Sequence, residues 1–173
     1  LIPPYDSAAT LALLTAVVAE YDPAMVVSLG DSFHDSQGAE RLHPLFREQL
    51  EAMMAGRDWF WIAGNHDPHF PSNLPGEAVQ ELGIGSLVFR HEPSRTAVTG
   101  EIAGHLHPCA RIVQRGRSVR RRCFASDGMR MIMPAFGAYT GSLNVLDRAY
   151  AGMFRRGALT AYMIGQERVF AIA

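Results

Sequence analysis

Four short polar motifs in this chain each begin where a short apolar run ends, and that repeated juxtaposition constrains the fold more than any other feature. They are Gly30-Asp31-Ser32-Phe33-His34-Asp35 after 24–29, Gly64-Asn65-His66-Asp67 after 59–63, His91 after 86–90, and Gly104-His105-Leu106-His107 after 101–103. Short continuous apolar runs that stop at glycine read as buried parallel strands. Parallel strands present their carboxyl ends at one edge, so side chains that follow them directly converge on one crevice. The glycines let the backbone turn sharply there and approach a ligand closely.

The remaining pattern fits around those strands. Residues 7–20 read as a helix, with Asp6 or Ser7 as cap, Leu11, Leu14, Val17 and Val18 at helical spacing, and Pro23 as a stop. Residues 43–55 read as a second amphipathic helix, with Leu45, Phe46, Leu50, Met53 and Met54 inward and Gly56 after its end. The second half changes character: 110–114, 118–124 and 129–133 read as consecutive strands, with Asp127-Gly128 a hairpin turn between the last two. A closing hairpin is expected from 161–164 and 168–172 around Gly165. Helices early, strands late and short connections predict a layered α/β sandwich around one core.

The chain has 173 residues and a formal net charge of -1, so it suits one domain, and bulk charge names no partner. Its seventeen acids are balanced by arginine alone, with no lysine, which matters only where arginines cluster. Cys109 and Cys123 are the only cysteines, and their spacing suggests neither a disulfide framework nor a zinc knuckle. A reducing, cytoplasmic setting is expected. No apolar run reaches the roughly 18–20 residues that span a bilayer, so no membrane partner is expected. The chain begins at Leu1, not Met.

The residue types in the four motifs point to metal chemistry. Imidazole and carboxylate together suit manganese, iron or zinc better than magnesium. A carboxylate such as Asp31 has two oxygens and can bridge two ions, and His105 and His107, alternating around Leu106, can serve neighbouring ions. Two ions roughly 3.5–4 Å apart can activate a hydroxide and clamp the attacking and leaving oxygens of an in-line displacement at phosphorus. Gly-Asn-His-Asp alone could be a simple turn; all four motifs in this order after buried strands are much harder to obtain by accident. His43 and His69 stand outside the motifs and read as structural or surface residues.

These motifs resemble those of the calcineurin-like metallophosphoesterase superfamily. That superfamily carries Asp-x-His, Gly-Asp-x-x-Asp/His, Gly-Asn-His-Asp/Glu, a lone His and Gly-His-x-His, and all but the first are found between Gly30 and His107. The segments Pro108, Arg120-Arg121-Arg122-Cys123-Phe124, Asp127-Gly128 and 134–141 extend the resemblance, toward the endonucleases of the bacterial ligase-associated DNA damage response. The resemblance implies an α-β-β-α sandwich and two divalent ions, manganese first, with zinc or iron as alternatives. It implies that Asp31 bridges the ions, that Asn65, His91 and His105 complete one site, and that His107 binds the other. His66 would not bind metal: it would face the substrate and help protonate the leaving oxygen, oriented by His34 or Asp35. Asp67 would support the loop.

The missing Asp-x-His is the main departure. Asp6-Ser7-Ala8 has the wrong third residue and stands at a helix start. The resemblance therefore implies a first strand ahead of Leu1, in a segment of about 25–40 residues. Leu1-Ile2-Pro3-Pro4 cannot supply that strand, because its prolines remove two donors. This chain should then hold one ion well and the other, with only Asp31 and His107, poorly.

The expected activity is metal-dependent hydrolysis of phosphodiesters, with single-stranded or damaged DNA as substrate and a functional link to a DNA ligase and helicase. Arg115, Arg117, Arg120, Arg121 and Arg122 could contact phosphates, or form a solvated strand face that guards the sheet. The alternatives are a phosphomonoesterase, a cyclic-nucleotide phosphodiesterase, or a degenerate metal-binding interaction module.

Overall fold

The computed structural model describes residues 5–33, 35, 37–68, 74–96 and 98–173. They fall into two units, Leu1–Gln80 with Phe136–Thr140, and Glu81–Ala135 with Gly141–Ala173. Leu1-Ile2-Pro3-Pro4, expected not to form a strand, lies outside the described residues, as do His34 and His69.

The first unit opens with helix α1 (Tyr5–Tyr21), which starts two residues before the expected span. Its last turn closes with the Asp22 N–H on the Val18 carbonyl at 2.9 Å, Asp22 taking a φ of 39° before Pro23 stops the chain. Strand β1 (Met25–Ser28) follows, then α2 (Pro44–Met54) and β2 (Asp58–Ile62). His43 is the N-cap of α2: its Nδ1 accepts the Leu45 N–H at 3.3 Å, and Pro44 takes the first helical position. The structural reading of His43 holds. Leu45 does not face inward as the spacing suggested. It is 65% exposed, because the buried stripe runs through Leu50, Met53 and Met54 with Phe46, and Leu45 falls off that face.

Strands β1, β2 and β3 (Glu77–Val79) form a parallel sheet in that order, with Ser28 opposite Trp61 and Ile62 opposite Val79. The carboxyl ends of β1 and β2 therefore lie side by side. Leu11, Leu50, Met53, Met54, Trp59 and Trp61 form the core beneath them. Phe33, within the first motif, packs against this core with its ring 6.4 Å from Trp61, so the motif loop is anchored from below.

The second unit is a nine-stranded mixed sheet. Strands β5 (Leu87–Arg90), β6 (Glu101–Ala103) and β9 (Arg130–Ile132) run parallel, with β4 (Glu81–Ile84) antiparallel on the β5 side. Strands β7 (Pro108–Gln114) and β8 (Arg117–Ser126) form a long hairpin, and β8 turns through Asp127-Gly128 into β9 as expected. The two-residue β10 (Leu143–Asn144) pairs with β7; β11 (Thr160–Ile164) pairs with β8 and, through the expected turn at Gly165, with β12 (Val169–Ile172). The core here is Cys123, Ala125, Ile132, Val145, Tyr150 and Met163, with Leu106 packed against it.

Both cysteines are free and buried. Cys109 stands opposite Arg122 in the hairpin register, so Cys109 and Cys123 face opposite sides and cannot pair. Burial, with the neighbouring Cys109 adding to it, pushes the Cys123 thiol up to about 12.

Asp127 ties the β8–β9 turn to the segment at Arg155. Burial alone would raise its pKa, but the backbone N–H groups of Arg155, Met129 and Arg130, with the Arg155 guanidinium, hold it below the ordinary value. A depressed carboxylate stabilises the fold above its unfolded pKa of about 3.9, and that contribution disappears as pH falls through the folded value. Asp127→Asn is therefore expected to be less stable at neutral pH and to lose less stability on acidification. Urea unfolding between neutral and acid pH checks this; an unchanged acid slope would refute it.

Candidate active site

In the first unit the two motif loops leave adjacent strand ends and are clasped by one side chain. The buried Asp67 carboxylate accepts four backbone N–H groups: Asp31 at 2.9 Å and Gly64 at 3.1 Å on Oδ1, Ser32 at 2.8 Å and Phe33 at 3.2 Å on Oδ2. Burial raises the Asp67 pKa and the Asp31 charge adds to it, while the amide donors oppose the rise. Asp31 in turn accepts the His66 N–H on Oδ1 at 2.9 Å. Gly64 is a matter of space: a Cβ there would run into the Asp31 nitrogen and carboxylate and the Asp67 carboxylate. Asn65 and His66 are exposed at the tip of this clasp.

In the second unit β5 and β6 end side by side, and the Gly104 N–H bonds the His91 carbonyl at 2.9 Å. The turn that follows is tight, with the Leu106 N–H on the Gly104 carbonyl at 2.8 Å. Leu106 anchors it in the core, and the Tyr150 hydroxyl donates to the Leu106 carbonyl at 2.9 Å. Burial raises the Tyr150 pKa, keeping the phenol a proton donor. The Leu143 N–H on the His107 carbonyl, also 2.9 Å, fixes the far side of the turn.

The backbone departs from the expected division of labour. Gly30 has a φ of 85°, but so do three functional candidates stand in the left-handed region: Asp31 at 50°, His105 at 64° and His107 at 46°. Such conformations carry a cost of about 1–3 kcal/mol each and cluster at functional sites, where the surroundings hold them in place. Here those surroundings are the Asp67 clasp and the Tyr150 tether.

The fit of a metal ion can be judged within the second unit. His105 Nδ1 and His91 Nε2 lie 3.1 Å apart, with the rings edge to face and centroids 4.9 Å apart. Two nitrogens each bound to one ion at about 2.0–2.1 Å lie about 3.3 Å apart at the tetrahedral angle and about 2.9 Å at a right angle. The observed spacing falls between, so both imidazoles can share an ion. His91 is buried and His105 half-buried.

Residues 4–117 match the calcineurin-like phosphoesterase family. The chain belongs to that family. This calcineurin-like phosphoesterase is also similar to the crystal structure of Pseudomonas putida nuclease MPE, at 28% identity and a TM-score of 0.72, over 96% of this chain and 78% of that one. No curated protein gives a match. The fold is the α/β fold of the metallophosphoesterases, and the chain is a metal-dependent hydrolase of phosphoric esters. Among the described residues no helix is long and apolar enough to cross a membrane.

The sequence candidates behave differently from one another. Asp35 Oδ2 pairs with Arg41 at 2.6 Å, and its Oδ1 accepts the Gln37 N–H at 2.9 Å, an Asx turn. Of the arginines, Arg115 sits in the hairpin turn with a φ of 49°, followed by Gly116 at 74°. Strand alternation divides the rest: Arg120 and Arg122 share one face with Cys109, and Arg117 and Arg121 share the other. Arg120 donates to the Ser142 carbonyl at 2.6 Å and to Cys109 Sγ at 3.0 Å, and Arg122 donates to the Ala135 carbonyl at 3.0 Å. The five do not form one surface.

Sequence reasoning missed Tyr150, Glu101 and Arg130. Glu101 and Arg130 are 1% and 3% exposed, and they pair across β6 and β9 with Nε to Oε2 at 3.2 Å. A Glu in a short apolar run was the available signal, since such a residue is almost never fully buried unless paired.

Proposed function

We propose that this chain, as one phosphoesterase domain, carries the site of an enzyme that cleaves phosphodiester bonds in DNA, with one divalent ion held by Asp31, Asn65, His91 and His105 and a second, more weakly, by Asp31 and His107. The observation that carries the substrate is the 28% identity, across 96% of the chain, to a protein described as a nuclease. The 3.1 Å approach of His91 and His105 supports the ligand assignment. Manganese is the first choice that the family resemblance implies, and the imidazole, carboxylate and amide set also suits iron or zinc. When bound, the ions would supply Lewis-acid activation of water and of the phosphoryl oxygens. A cytoplasmic setting rests on the sparse cysteines, and a link to a DNA ligase and helicase on the family resemblance alone.

The protein's own residues supply the rest. Asp31 serves as ligand and, through Oδ1, as the acceptor that holds the His66 backbone. His66, exposed at the loop tip, protonates the leaving oxygen. His34 or Asp35 orients His66, as the resemblance implies. Arg117 and Arg121, exposed on the face of the hairpin opposite Arg120 and Arg122, are the arginines proposed to contact a strand's phosphates, although Arg121 also donates to the Arg120 carbonyl at 3.1 Å.

The test is an assay of the chain against single-stranded DNA, bis(p-nitrophenyl) phosphate, p-nitrophenyl phosphate and a cyclic nucleotide. Slow cleavage of DNA and of the small diester, lost with chelator and restored by excess manganese, is expected, because the ion held by only Asp31 and His107 binds poorly. Preferred hydrolysis of the monoester without DNA cleavage would replace this reading with a phosphomonoesterase. Arg117→Ala and Arg121→Ala should each flatten the salt dependence of DNA binding by about 0.7 in log–log slope. An unchanged slope would return both to the plain strand-face reading.

A further inference from the structure

Beside His105 the second unit contains a cleft of about 350 Å³. One wall is Glu92, Pro93 and Arg95; the other is Ala149, Ala151 and Met153, with Leu106 between them. We propose that this cleft is a nucleoside subsite, receiving the sugar and base on one side of the scissile phosphodiester. The inference rests on the phosphodiesterase reading above and names where its substrate lies.

The size argues for a single nucleoside. Ligand pockets run from about 300 to 1,000 Å³, and this one is at the small end. Its lining suits the chemistry. Pro93, Leu106, Ala149, Ala151 and Met153 are apolar surfaces for the faces of a base or the edge of a sugar. Arg95 is an exposed cation for a flanking phosphate, and Glu92 an exposed acceptor for a base amino group. A phosphorus held near His105 would leave its nucleoside substituent within reach of this cleft.

The walls are also preorganised. On one side Arg130 donates to the Ser94 carbonyl at 2.9 Å and to the Thr96 carbonyl, while the Ser94 N–H bonds Glu101 Oε1 at 2.8 Å. On the other, the Asp147 carboxylate accepts the Ala149 N–H at 2.9 Å, and Tyr150, between Ala149 and Ala151, is tethered to Leu106. A site whose walls are fixed before the ligand arrives loses less entropy on binding.

The experiment compares Ala151→Trp, which fills the cleft, and Arg95→Ala, an exposed change that leaves the fold alone. The readout is kcat/KM for a single-stranded oligonucleotide divided by that for bis(p-nitrophenyl) phosphate, whose aryl groups replace the nucleosides. Each variant should lower this ratio by about tenfold or more, the scale at which a shaped pocket discriminates. A ratio unchanged in both variants would overturn the proposal. Binding of thymidine monophosphate, titrated in chelator, provides a second readout. It should weaken in Ala151→Trp, and equal binding in the variant and the parent would also overturn the subsite. If the parent cleaves neither diester, the phosphodiesterase reading fails separately, and the titration alone decides whether the cleft takes a nucleotide.

Discussion

The His66→Ala variant is expected to keep its metal content and to lose turnover by about two to four orders of magnitude, the usual contribution of a positioned acid. His66 is exposed, and the contact that fixes it is its backbone N–H on Asp31 Oδ1, which alanine retains. The Asp67 clasp, made of four backbone amides, is also untouched by the change. The loop should therefore keep its shape while the imidazole disappears. Asp31→Ala differs, because it removes a proposed ligand and the acceptor for His66 together, and it should lose metal and activity alike. Metal analysis beside steady-state kinetics separates the two. Equal metal loss in both variants would make His66 a ligand and leave the proton donor unassigned.

What the sequence made legible was whatever depends on local pattern. The strands β1, β2, β5 and β6 are apolar runs with a motif after each, and they form where those runs stand. Strands β3, β4 and β10 were not anticipated. Glu77–Val79 and Glu81–Ile84 carry acids and Gly83 in place of an apolar run, and Leu143–Asn144 is too short to have a period. These are strands because a neighbour pairs with them, which is long-range information. The same reason hides Tyr150, whose hydroxyl reaches a carbonyl forty-four positions away. Asp67 was legible as a supporting residue from its place after Gly-Asn-His, but not the number of amides it gathers. The left-handed backbone at Asp31, His105 and His107 was not legible either. Local chemistry assigns such angles to glycine, and only the surrounding clasps let aspartate and histidine take them.

Replacing Arg130 by methionine is expected to destabilise the fold by about 3–5 kcal/mol, the loss typical when one partner of a buried ion pair is removed. Arg130 and Glu101 stand opposite each other in the β6–β9 register, and both are almost wholly buried. The guanidinium also satisfies the carbonyls of Ser94 and Thr96. Methionine fills similar volume but leaves those acceptors unsatisfied and removes the buried counter-charge. Arg90, 3.6 Å from Glu101 Oε1, is too far and too engaged with Glu81, at 2.9 Å, to replace it. Removing both charges tests the cause. Glu101→Gln combined with Arg130→Met should cost less than the sum of the two single changes, because no uncompensated charge remains. Denaturant unfolding in chelator gives all three stabilities without a contribution from bound metal. A loss below about 1 kcal/mol for Arg130→Met would show that the pair is solvated in the folded protein. The segment held by Arg130 begins just after His91, so the same variant should also loosen the His91–His105 pair. Weakened metal binding at temperatures where the variant remains folded is the expected sign.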